Sequence, residues 1–345
     1  MLRLNYTITS NILYNIKKIA TLVSELNHLA FPSIVLMEFE RRANSLSAFA
    51  STSIEGNPLP LTEVKRILKS HPKNIRDSER EVLNYNEALK KLNERIRQGK
   101  AKLDLQSVLT IHKQILSGLM DDSRCGRLRN EPVFVNDPKS GQPTYLPPDH
   151  GDVSALMAEL VDFTNLKKDE IDPILLAGLF HKQFVIIHPF VDGNGRTARL
   201  ATKSLLAQMG LDTFRLFSFE NYYNQNVGKY FQKVGVFGNY YEIAAAVDFT
   251  EWLEYFTDGI IDELMRVEKE LKAASATPET TLKTYHNKMI ERIKEQGFIT
   301  DADYAKLVRR AKATRSLDFR KLMEMKIIER FGKGKSTHYK LKDNE

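Results

Sequence analysis

A single cysteine, Cys125, stands in the whole chain, so no disulfide framework can form within it. That absence fits a reducing compartment. Long apolar runs are missing as well. No segment approaches the roughly 20 apolar residues that a membrane span requires. The opening, Met1-Leu2-Arg3-Leu4-Asn5-Tyr6, carries no hydrophobic stretch of signal-peptide length. Internal repeats and low-complexity tracts are absent too. These gaps lead to the expectation of a cytoplasmic protein without a membrane anchor. What is present is ordinary for a globular chain: 345 residues, 42% hydrophobic and 28% charged, enough for two domains or three.

The net charge of +7 is unevenly placed. Residues 279–345 hold 17 Lys and Arg against 10 Asp and Glu, and the remainder balances at 34 of each sign. The basic excess therefore belongs to the C-terminal segment and points to an acidic partner, nucleic acid among the candidates, or to a solvated surface.

Most of the chain has helical periodicity. Leu36, Phe39, Ala43, Leu46 and Ala50 recur at helical spacing from Ile34 to Ile54, and the run stops at Glu55-Gly56-Asn57-Pro58. Further helices are expected from Thr62, over Glu79 to Gln98, Asp104 to Leu119, Asp152 to Leu166, Pro173 to Ile187, Arg196 to Gln208, Ser218 to Val234 and Phe249 to Leu271. Glu131 to Pro148 breaks the pattern with two extended runs around Asn136-Asp137-Pro138-Lys139-Ser140-Gly141, which predicts a β-hairpin. Ala273 to Thr281, rich in Ala, Ser, Thr and Pro, is the expected linker. Beyond it, helices over Leu282 to Gln296, Asp301 to Arg310 and Thr314 to Met325 precede strands at Ile327 to Phe331 and Thr337 to Leu341. Three helices and a Gly/Lys-tipped hairpin form the pattern of a winged helix-turn-helix. Its third helix carries Thr314, Arg315, Arg320 and Lys321, and the tip carries Lys333 and Lys335, which suit phosphates. DNA binding is one reading of this module. Protein docking that selects a target or forms a homodimer is the other.

Chemistry concentrates in thirteen residues, His188-Pro189-Phe190-Val191-Asp192-Gly193-Asn194-Gly195-Arg196-Thr197-Ala198-Arg199-Leu200. Asp192 to Arg196 opens a helix, whose first turn offers free N–H groups and the positive end of the dipole. Glycines let that backbone approach phosphate oxygens, and Asn194 can add a side-chain donor. Arg196 and Arg199, three residues apart, share a face and can clamp separate phosphates. Asp192 is placed to hold Mg²⁺ on those phosphates. His188 is placed to take a proton from an incoming hydroxyl.

His188 to Arg199 matches the full signature of the Fic family, His-Pro-Phe-x-Asp/Glu-Gly-Asn-Gly-Arg-x-x-Arg. The resemblance runs over roughly residues 35 to 260 and takes in Gly126, Arg129 and the hairpin ending Tyr145-Leu146-Pro147-Pro148, which looks like the family's target-binding flap. It implies a mainly α fold: a Fic-type helical bundle with a β-hairpin flap, followed by the winged helix-turn-helix. The implied division is an N-terminal helical region at 1–105, a catalytic core at 106–272 and the C-terminal module at 279–345. The implied activity is transfer of AMP from Mg·ATP to a Tyr, Thr or Ser hydroxyl of a target protein, or of the chain itself, releasing pyrophosphate. His188 would be the general base and Asp192 the Mg²⁺ ligand. Gly193, Asn194 and Gly195 would form the anion hole, with Arg196 on the β-phosphate, Arg199 on the γ-phosphate and Thr197 among the ATP-binding residues. The second Arg separates this pattern from the Doc-type kinases. Thr144 and Tyr145 would lie near the nucleotide. Asn226, Tyr230 and Phe231 resemble the family's adenine-site element, with Asn239 also in reach of the base.

Ser51-Thr52-Ser53-Ile54-Glu55-Gly56-Asn57 resembles the family's inhibitory element, which implies that Glu55, supported by Ser51, pairs with Arg199 and represses transfer. Two other readings of the whole chain stay open at this point. One is transfer of another nucleotide or phosphate-bearing group. The other is a DNA-binding regulator in which the same loop only senses nucleotide.

Overall fold

The computed structural model describes residues 2–29, 31, 33–70, 75–100, 102–136, 141–208, 212–275, 282–325 and 327–342. Two compact units divide the chain. One comprises Met1–Leu29 with Glu40–Glu268, the other Ala30–Phe39 with Lys269–Glu345.

The larger unit is helical: α1 (Ser10–His28), most of α2 (Ser33–Ile54), α3 (Leu61–Ser70), α4 (Asp77–Arg97), α5 (Leu105–Leu116), α6 (His150–Lys167), α7 (Pro173–Ile187), α8 (Asn194–Gln208), α9 (Phe219–Gln225), α10 (Val227–Val234), a single turn α11 (Tyr240–Ile243), and α12 (Thr250–Ser275) up to Glu268. At its centre is α7, which reads as a nearly unbroken apolar run because it is covered on all sides: Leu176, Ala177, Leu179, Phe180 and Phe184 have no accessible surface. Pro173 sits at its start, where a missing N–H costs nothing, and Asp172 caps it by accepting from the Ile174 N–H at 2.9 Å. Trp252 of α12 locks onto it by donating from Nε1 to the Gly178 carbonyl at 2.8 Å. No helix among the described residues is long and apolar enough to cross a membrane.

Three details depart from expectation. Helix α1 lies in the region 1–105 expected to be helical but was not delimited there, although Ile12, Asn15, Ile19, Leu22, Val23 and Leu26 are buried at helical spacing. It is tied to α12 by Asn15, whose amide donates to Thr257 Oγ1 at 2.9 Å and Asp258 Oδ1 at 2.7 Å. The single helix expected over Ser218 to Val234 is two, because Asn226 leaves helical geometry and its side chain accepts from the Lys229 N–H at 3.0 Å as the cap of α10. The hairpin is part of a three-stranded sheet. Antiparallel β1 (Val135–Asn136) and β2 (Pro143–Leu146) are joined by β3 (Gly238–Asn239), parallel to β2. The hairpin tip, residues 137–140, lies outside the described residues, as does 276–281 of the expected linker.

The smaller unit holds α13 (Thr284–Gln296), α14 (Asp301–Leu307), α15 (Lys312–Glu324) and the antiparallel pair β4 (Ile328–Phe331) and β5 (His338–Leu341). Its core is Met289, Ile290, Ile293, Ile299, Tyr304, Phe319, Leu322, Ile327 and Ile328, with Met37 against it. The expected order of three helices and a hairpin is present. Arg315, however, is not free for a phosphate: its guanidinium forms a bidentate pair with Asp301, 2.8 Å on both arms.

Candidate active site

The last turn of α7 delivers His188 in a left-handed conformation, φ 51°, the one positive φ among the described non-glycine residues. Such a backbone costs energy in a residue with a Cβ and persists only where its surroundings hold it. Several groups do. Arg129, 4% exposed, donates from Nε to the His188 carbonyl at 2.8 Å, and its N–H donates to the Pro189 carbonyl at 2.9 Å. The same guanidinium reaches Pro148 and Glu131 at the ends of the hairpin. Tyr145, buried, donates from its hydroxyl to the Ile186 carbonyl at 2.9 Å. Hairpin and catalytic loop thus share one support.

His112 of α5 is a residue that the sequence did not mark. Its ring stacks on Phe190 at 3.7 Å. Nδ1 accepts from the Gly126 N–H at 2.9 Å, which leaves Nε2–H to donate to the Asp192 carbonyl at 3.0 Å. No motif spacing links residue 112 to the loop. Burial, with Arg196 adding to it, pushes the imidazole down from 6.5 to about 4 against the upward pull of Asp192. A depressed histidine contributes stability that is full above its unfolded value and is lost as pH falls through its folded value. The folded state should therefore weaken between pH 6.5 and about 4, by up to about 3 kcal/mol from this group. Urea unfolding at several pH values should show a shallower loss over this window in His112→Gln than in the parent. Equal slopes would remove His112 from the account.

Within the loop, Gly193 takes φ +77°, open to glycine at little cost. Asn194 spends its side chain on the loop itself, accepting from the Phe190 N–H at 2.9 Å and donating to the Phe190 carbonyl at 2.8 Å. The side-chain donor expected for a phosphate is engaged there. Gly195 and Thr197 lie in the first turn of α8, and the Thr197 hydroxyl is buried without a hydrogen-bond partner among the described residues.

Two arginines leave α8 toward three carboxylates. Arg199 is fully buried. It donates from Nη2 to Glu55 Oε1 at 2.7 Å and to the Ser51 carbonyl at 2.8 Å, from Nε to Ser51 Oγ at 2.7 Å, and from Nη1 to the Tyr230 hydroxyl at 3.3 Å. The Glu55 carboxylate lies directly over Gly195, where any Cβ would collide with it. Arg196, 5% exposed, donates from Nη1 to Glu81 at 2.5 Å and from Nη2 to both Asp192 oxygens at 2.9 Å. Its Nε is buried with no hydrogen-bond partner among the described residues. Asp192 remains more than half exposed. His188 Nδ1 is likewise buried with no well-formed hydrogen bond among the described residues, and burial lowers the ring from 6.5 to about 4 against the upward pull of the Val185 backbone, so it is neutral at pH 7.

The residues expected near the nucleotide have these partners within the chain. Tyr230 is buried beneath Arg199, its hydroxyl also 3.2 Å from His181 Nε2. Asn226 is an exposed helix cap, Phe231 is half-buried, and Asn239 caps α11 by accepting from the Tyr241 N–H at 3.0 Å. Thr144 donates to the Val135 carbonyl at 3.1 Å, closing the hairpin.

Residues 102–206 match the model of the Fic/DOC family. The chain is 33% identical over 167 residues to Protein adenylyltransferase Fic of Drosophila willistoni, covering 47% of this chain and 32% of that one. It is 32% identical over 204 residues to Protein adenylyltransferase fic-1 of Caenorhabditis elegans, covering 56% and 38%. It thus spans about a third of the length of such curated relatives. Among solved structures, a Fic family protein from Desulfovibrio desulfuricans G20 superposes with a TM-score of 0.63 at 20% identity, over 100% of this chain and 99% of that one. Residues 134–508 of C. elegans Fic-1 superpose with 0.60 at 24% identity, over 76% and 74%. The last two likenesses bear on the fold. The chain carries a Fic domain, in residues 102–206, on a Fic-type helical fold.

Proposed function

We propose that this protein transfers AMP from Mg·ATP to a Tyr, Thr or Ser hydroxyl of a target protein, itself included, and that Glu55 holds the activity in check. One observation carries the reading: a carboxylate of the chain's own, Glu55, sits over Gly195 at the amino end of α8, paired with a fully buried Arg199. The place is built for an anion.

The transfer needs a hydroxyl oxygen to attack the α-phosphorus. The new O–P bond forms, the bond bridging the α- and β-phosphates breaks, and pyrophosphate leaves with the electron pair. His188, neutral at pH 7, takes the hydroxyl proton. The first-turn N–H groups of α8 and the guanidiniums of Arg196 and Arg199 hold the phosphate oxygens, and hydrogen bonds of this kind strengthen as charge develops. Asp192, whose carboxylate is more than half exposed, would hold a divalent cation, which would neutralise phosphate charge. The setting is a cytoplasmic one, where ATP and magnesium are supplied. The flap would bind a target segment along β1, an open strand edge.

Incubating the full chain with Mg·ATP and a cell lysate should add one AMP moiety to a target or to the chain, read by intact mass, and the gain should vanish in His188→Ala. Nucleotide binding with no covalent product would select the sensor reading, and a different added mass another transferred group. The smaller unit, taken as a winged helix-turn-helix, keeps Lys312, Arg320, Lys321 and Lys333 exposed. A salt-sensitive gel shift with duplex DNA that is lost in Arg320→Glu/Lys321→Glu would assign it to nucleic acid; no shift at low salt leaves target selection or dimerisation.

A further inference from the structure

Arg196 has more counter-charge than one guanidinium needs. Asp192 takes Nη2 with both oxygens, and Glu81 of α4 takes Nη1. Glu81 is itself held: its Oε2 accepts from Asn57 Nδ2 at 2.7 Å, and Asn57 also donates to the Ser78 carbonyl at 2.8 Å. Asn57 stands two residues beyond Glu55, on the turn that closes α2, where its N–H donates to the Thr52 carbonyl at 3.1 Å. The exposures differ in a telling way. Asp192 is open to solvent, whereas the Glu81 side chain is 15% exposed and that of Arg196 6%. The buried Nε of Arg196 has no partner among the described residues and lies free for a further acceptor.

We infer that Glu81 is a positioning residue: it is the counter-charge that keeps Arg196 aimed at the nucleotide phosphates when Asp192 turns to a divalent cation. The inference rests on the reading of the loop as a site for Mg·ATP. Asp192 cannot serve the metal and neutralise Arg196 with both oxygens at once. With Glu81 in place, the guanidinium keeps a half-buried carboxylate when Asp192 lets go. With Glu81 neutralised, Asp192 becomes the one full counter-charge of Arg196, and every metal ion must compete with that arginine for it. Groups behind a metal ligand commonly change metal affinity by about 10–100-fold.

The test uses the full chain carrying Glu55→Gly as parent, α,β-methylene ATP as a probe in which the bond that must break is blocked, and magnesium as the titrant. Calorimetry then gives the magnesium concentration that half-saturates nucleotide binding. Glu81→Gln should raise that concentration about tenfold or more and leave the weak binding measured in EDTA no weaker than in the parent. Glu81→Asp should recover part of the shift. Asn57→Ala, which loosens Glu81 without removing its charge, should move the half-saturation the same way by less, and it carries the test if Glu81→Gln does not fold. Equal half-saturation in parent and variants, with binding weakened alike in magnesium and EDTA, would mean that Glu81 only supports the fold and would overturn the inference. Failure of the parent to bind the probe at any magnesium concentration would overturn the reading beneath it.

Discussion

Replacing Glu55 with glycine should raise AMP incorporation by about two orders of magnitude or more. The carboxylate competes for what a triphosphate would use: the space over Gly195 and the Nη2 donor of Arg199. A nucleotide that enters while Glu55 stays must seat its terminal phosphate elsewhere. Its α-phosphorus then loses alignment with the attacking hydroxyl, and misplacement of about an ångström can cost about 10²-fold. The same substitution should lower stability. Arg199 has no accessible surface, and without Glu55 it keeps the Ser51 and Tyr230 oxygens but no carboxylate. The cost of a buried donor left short of a partner is about 1–3 kcal/mol. Mg·ATP should restore the loss, because a ligand bound only to the folded state stabilises by mass action. Gain of activity, loss of thermal stability and nucleotide rescue form one signature. Labelling with radioactive ATP that is unchanged in Glu55→Gly would reject the brake.

How far the sequence disclosed this site depends on where each residue lies along the chain. Asp192 to Arg199 was legible because a helix start carries its own chemistry: the free N–H groups, the glycines and the paired arginines are consecutive. Helix α7 was legible because an apolar run between Asp172-Pro173 and the His188 turn has one simple interpretation. Glu55 was legible through the resemblance of Ser51 to Asn57 to an inhibitory element, and its partner is Arg199. Glu81 and His112 were not. Both sit in amphipathic helices whose periodicity is satisfied by their apolar neighbours, so nothing local marks them, and only the packing of α4 and α5 against α8 brings them to the loop. Strand β3 was illegible for another reason: two residues, Gly238 and Asn239, have no alternation to read. Asn194 and Tyr145 show a different limit. The loop motif suggested Asn194, and the family resemblance Tyr145, as groups for a ligand, but a buried amide or phenol is satisfied by the nearest backbone, here Phe190 and Ile186.

His188→Ala in the Glu55→Gly background should cut transfer by about 10²–10⁴-fold, the range in which positioned general bases act, while nucleotide affinity stays at the parent's level. The split between the two follows from placement. The phosphate contacts would be made by α8 and its arginines, and the imidazole sits at the other side of the turn, just beyond α7, supported through its carbonyl by Arg129. The pH dependence supplies a sharper check than the loss itself. Burial holds the imidazole at about 4, with Arg129 pushing the same way and the Val185 backbone, then Glu55 and Asp192, opposing. Removing Glu55 deletes one of the opposing charges, so the variant's imidazole is if anything lower. The kcat/KM of Glu55→Gly, which reports the free enzyme, should stay level as pH falls from 7.5 past 6.5 and decline only toward the range below about 5. An exposed histidine would decline near 6.5. Fold loss in acid must be separated from this, so the profile is to be taken on protein whose circular dichroism is unchanged at each pH. A midpoint near 6.5 would mean that the imidazole is hydrated in the active state. The base would then work from an environment unlike the one around φ 51° at His188, and the neutral, preset imidazole on which the proposed proton transfer depends would have to be given up.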